Sequence, residues 1–76
     1  MHVIQVQSSE VTIRLSEMEL MILNNSLNEV CNGIEVPEFA TRVGAELSVV
    51  RGLLKEVHDL QGHQLLRQAT FLEPKA

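Results

Sequence analysis

Seventy-six residues, with ten acidic against six basic side chains, a net charge of −4, one cysteine and no tyrosine or tryptophan, make one small acidic domain. A lone cysteine rules out an internal disulfide, no apolar run approaches the roughly 18 residues of a membrane helix, and a pocket of about 300 Å3 would hollow out the only core available. Disulfide-stapled, membrane-spanning and enzymatic classes are therefore set aside, and with no signal-peptide pattern at the N-terminus the expected location is cytoplasmic.

The expected fold is α+β and mainly α: residues 1–76 form one domain, with a β-hairpin over 2–15 packed on a three-helix core over 16–61. His2–Gln7 and Glu10–Leu15 are rich in β-branched side chains, and the second run alternates with period two, pointing Val11, Ile13 and Leu15 inward. Ser8-Ser9 is the connection. An isolated hairpin is marginal in water, so it must pack on a helix or pair across the edge of a homodimer.

Ser16 opens the first helix, with Glu19 completing the Ser-x-x-Glu capping box, and Asn32-Gly33 is a left-handed stop signal. Leu20, Leu23, Leu27, Val30 and Cys31 form the expected core arc, and Met18 and Ile22 lie nearly opposite. Between them the remaining arc carries Glu17, Asn24 and Asn28, with Asn25 and Glu29 nearby. Asparagine is a poor helix former, so several in one helix point to a use for their amides.

Ile34-Glu35-Val36 reads as an extended linker, and Pro37 pre-sets the start of a short second helix in which Phe39 and Val43 face inward. Gly44 ends that helix in a left-handed turn and Ser48 caps the third, where Val49, Val50, Leu53, Leu54, Val57 and Leu60 make the apolar face. Gly62 is its expected end. The pair outlines a helix-turn-helix, which ordinarily binds DNA through a cationic recognition helix. Here Arg51 and Lys55 are offset by Glu56 and Asp59, so no specific nucleic-acid binding is expected. Residues 63–76 fit either a fourth helix or an added strand, with Pro74, Lys75 and Ala76 expected to fray.

Charge is uneven: the chain carries a net −5 through Glu38 and +1 thereafter. That asymmetry suits a basic protein partner, although acidity is also ordinary in soluble domains. Cys31, His58 and His63 lack any paired ligand spacing, so neither a metal nor another cofactor is expected.

The run Leu27-Asn28-Glu29-Val30-Cys31-Asn32-Gly33-Ile34, followed by Glu38-Phe39 and Thr41-Arg42-Val43-Gly44, resembles the central signature of small immunity proteins encoded beside bacterial polymorphic toxins. Those of contact-dependent growth inhibition systems belong to this group. The resemblance covers about residues 15–57, leaves out the hairpin and tail, and departs at Val43, where the signature has leucine. It implies a non-enzymatic protein that binds and neutralises a cognate C-terminal toxin domain, often an RNase and in some cases of the EndoU type. On that reading Thr41 and Arg42 record the fold, Arg42 bonding helix carbonyls or pairing with Glu29 or Glu46. Glu17, Asn24, Asn28, Glu29 and Glu35 are the candidate partner-binding residues. A DNA-binding regulator or antitoxin and a non-inhibitory adaptor docking through Met18 and Ile22 are the alternatives.

Overall fold

A computed structural model describes residues 1–72, with side chains through Gln64. In chain order it has strands β1 (His2–Val6) and β2 (Val11–Arg14), helix α1 (Glu17–Asn28) running into a π-helical turn (Glu29–Gly33), a short α2 (Phe39–Val43), and a long α3 (Leu47–Leu72). The α+β class, hairpin first and three helices after, is as expected.

β1 does not alternate cleanly, whereas β2 does. A bulge between Val3 and Gln5 reconciles them: Val3 pairs with Ile13 and Val6 with Val11, so the extra residue Ile4 brings the apolar cross-strand pairs into register. The Gln7 amide donates to the Glu10 carbonyl at 2.9 Å and closes the turn around Ser8-Ser9. The hairpin does not bury its apolar side on the helices as expected. Both strands are exposed along their whole length, Val11 and Ile13 included, and only Leu15 of the inward set is half-buried.

The Met1 ammonium ties the hairpin to α1 through the Glu19 carboxylate, which also accepts from the Ser16 amide at 2.9 Å. Ser16 Oγ in turn accepts from the Glu19 amide, completing the capping box. The ammonium, and after it the Ser16 amide, hold the Glu19 pKa down at about 2 against an ordinary 4.5. Because the folded value is the lower one, this contact stabilises the fold above the ordinary value and is lost as pH falls through about 2. Acid unfolding followed by circular dichroism should therefore flatten between those values in Glu19→Gln.

α1 stops where expected but by a different device. Gly33 does not take a positive φ; the helix widens into a π turn in which the Ile34 amide donates to the Glu29 carbonyl at 3.0 Å. A Cβ at Gly33 would run into the Glu29 carboxylate, so the glycine makes room for a side chain folded back over the turn.

Pro37 sits in the turn before α2 rather than at its first position. Glu38 caps α2 with a left-handed backbone, φ 53° and ψ 48°, and no side-chain cap bond. At the other end Gly44 has φ 95° and its amide donates to the Ala40 carbonyl at 2.9 Å, the expected glycine turn. Phe39 is half-buried, but Val43 is exposed because one helical turn is too short to cover both. Arg42 is exposed and makes neither the ion pair with Glu29 or Glu46 nor the carbonyl bond expected of it.

α3 begins one residue before Ser48, its first amides turning back to the Glu46 carbonyl, so Ser48 is not the cap. Gly62 does not end it. The helix runs on through Leu72, about 39 Å at 1.5 Å per residue, and settles the ambiguous stretch from His63 as helix. The expected fraying of Pro74, Lys75 and Ala76 lies outside the described residues. No helix among them is long and apolar enough to cross a membrane.

Candidate functional site: the two sides of a helical layer

α1 packs antiparallel on α3, residues 24–32 facing 51–58 and residues 16–21 facing 61–64. Leu20, Asn24, Leu27 and Cys31 line the α1 side of the seam; Leu47, Val50, Leu54, Val57, Gln61 and Gln64 line the α3 side. Both lines alternate steps of three and four residues, the spacing of a coiled-coil seam. Among the described residues Cys31, Val50 and Val57 are the buried apolar ones, and no side chain is fully enclosed.

This seam is rotated from the expected core arc. Asn24, expected on the surface as a partner contact, is 9% exposed and occupies a seam position, while Leu23 and the α3 residues Val49, Leu53 and Leu60 are exposed. The rotation has a physical reason: α3 is apolar over more than one helix can cover, so α1 chooses a seam through Val50 and Val57 and leaves the adjoining stripe open. At about 100° per residue, Val49, Leu53 and Leu60 fall on the flank of α3 away from Arg51, Lys55 and His58. Leu23 likewise falls on the flank of α1 away from Asn28 and Asn32. One side of the two-helix layer is thus apolar and uncovered, with Leu53 49% and Leu60 57% exposed.

The other side is polar. A groove of about 440 Å3 runs between the helices, lined by Asn24, Asn25, Asn28 and Asn32 from α1 and its π turn, and by Arg51, Leu54, Lys55 and His58 from α3. Asn28 Oδ1 accepts from Asn32 Nδ2 at 3.1 Å, an amide pair one turn apart. Lys55 Nζ bonds Asp59 at 3.2 Å. Asn24 Oδ1 is buried and has no hydrogen-bond partner among the described residues.

The structure therefore divides the five expected partner-binding residues. Asn24 and Asn28 come together in the groove. Glu17 lies at the opposite end of the seam, in a recess of about 500 Å3 with Ser16, Met18, Met21, Gln61 and Gln64. Glu29 and Glu35 are exposed and line neither recess. Arg51, Lys55 and His58 were missed as a set because Glu56 and Asp59 made the polar face of α3 read as electrically balanced. Their i, i+4, i+7 spacing was the available signal, since it gathers three bases on one flank and leaves Glu56 off it. Cys31 is buried in the seam, and the described residues contain no group of three metal-ligating side chains. No protein-family model, curated protein or solved structure matches the chain.

Proposed function

We propose that this chain is an immunity protein that binds and neutralises a cognate basic nuclease toxin domain, covering it with the apolar flank of the helical layer and the acidic N-terminal half. The observation that carries the reading is the surface left open. Along both strands of the hairpin and at Met18, Ile22, Val49, Leu53 and Leu60 the described residues hold apolar side chains open to solvent, surface that gains by being covered. A chain with an exposed hairpin and a half-covered helix pair completes its core on something else.

The nature of that partner comes from charge and from the Leu27–Gly44 resemblance. Five net negative charges before residue 39 suit a cationic nuclease surface, and an RNase domain, the EndoU type included, fits the reading. Met18 and Ile22, 66% and 54% exposed, give α1 an apolar outer stripe that ends at Glu29. Together they offer the apolar anchors and charged rim that interfaces combine.

Carboxylates at the rim set the encounter rate more than the residence time. Reversing Glu29 and Glu35 to lysine should therefore slow association with the toxin by at least about tenfold at low ionic strength, and the difference should shrink as salt rises. Stopped-flow association across a salt series measures both. An unchanged rate in a well-folded double variant would place the interface away from these residues.

A further inference from the structure

The groove opposite the apolar flank has the chemistry of a second binding site, and its charge is the reverse of the surface around it. Four amides face two cations and an imidazole, and among the described residues no carboxylate lines the space. Asp59 engages Lys55 from one turn further along. Arg51 and His58 have no ion pair or hydrogen bond among the described residues. Asn24 lines the groove from a nine-tenths buried seam position, and its enclosed Oδ1 has no hydrogen-bond partner among the described residues.

The geometry points to a groove that takes an extended peptide segment bearing carboxylate side chains, its main-chain amides read by the asparagines and its acids by Arg51 and Lys55. This site goes beyond the nuclease-docking surface and does not depend on it. An oxyanion alone leaves the amide oxygens of Asn25 and Asn32 unused, whereas a peptide N–H donates to such acceptors. Asparagine side chains carry both an acceptor and two donors, the complement of a peptide group, and Asn25, Asn28 and Asn32 repeat that pair along the groove. The Arg51 guanidinium presents the planar fork that matches a carboxylate bidentately. A nucleic acid is disfavoured: with one cation already engaged by Asp59 and a net −4 on the chain, the groove neutralises one or two charges and not a run of phosphates.

The test is an NMR titration of the isotope-labelled full chain, following the asparagine side-chain amides. Four probes are compared: a capped hexapeptide of alternating glutamate and alanine, the same peptide with glutamine for glutamate, inorganic phosphate, and oligothymidylate. The glutamate peptide should shift Asn24, Asn28 and Asn32 saturably, with a Kd of about 1 mM or tighter. The glutamine peptide and phosphate should each bind at least about tenfold more weakly, the difference a lost charge-assisted pair makes. Arg51→Ala should weaken the glutamate peptide by a similar factor of about ten. No saturable shift with the glutamate peptide, equal binding of the two peptides, or tighter binding of oligothymidylate at these residues would each overturn the proposal.

Discussion

Leu53→Asp and Leu60→Asp should each leave the isolated chain folded and abolish protection against the toxin. Both side chains are about half exposed on the open flank of α3, so a polar replacement there should cost about 1–2 kcal/mol, from lost half-buried contact and lower helix propensity, and leave the chain folded. In the proposed complex the same flank would form the apolar centre of the interface, and each aspartate would be an unpaired charge taken out of water. Breaking the balance of a buried charge costs about 3 kcal/mol or more, and every 1.4 kcal/mol is a factor of about ten in affinity. Binding should therefore weaken by at least about a hundredfold for either variant. Titration calorimetry against the toxin domain measures this, with denaturant unfolding of the free chain as the control. Loss of affinity accompanied by unfolding of the free chain would mean the flank is covered within the chain after all.

Gly44→Val should destabilise the chain by more than about 1 kcal/mol, through the backbone alone. At φ 95° and ψ 2° the glycine stands where a β-branched residue is strained, while a Cβ there would meet nothing within 4 Å. Crowding cannot account for a loss at this position. In a chain of this size, whose core supplies only about 3–5 kcal/mol, such a loss lowers the denaturant midpoint visibly. Gly44→Ala should fall between the two, and Gly52→Ala, in an open position within α3, should instead stabilise by about 1 kcal/mol or less. An unchanged midpoint in Gly44→Val would mean that the turn before α3 has little part in holding the fold.

Local signals in the chain foretold the local structure well. The Ser16–Glu19 capping box, the Ser8-Ser9 hairpin and the Gly44 turn each rest on a few neighbouring residues and form as read. What was not legible is which of two apolar stripes would become the seam. Periodicity gave α1 the arc around Leu23 and Leu27, but packing against α3 moved it toward Asn24, and a polar residue at a seam position has no signature in a helical wheel. The end of α3 was misread for a related reason: Gly62 is a local stop signal, costing about 1 kcal/mol against alanine, which a long helix can absorb. The bases of the groove were hidden by adding up charges on one helix face instead of asking which flank each occupied.

The most direct test of the proposed function is co-expression of this chain with a nuclease toxin domain from an adjacent reading frame of its genome, scored by growth and by size-exclusion chromatography of the purified pair. The account predicts restored growth and a one-to-one complex, with Leu53→Asp losing both. Cells that die with the folded chain present, and a nuclease that elutes free of it, would contradict the account.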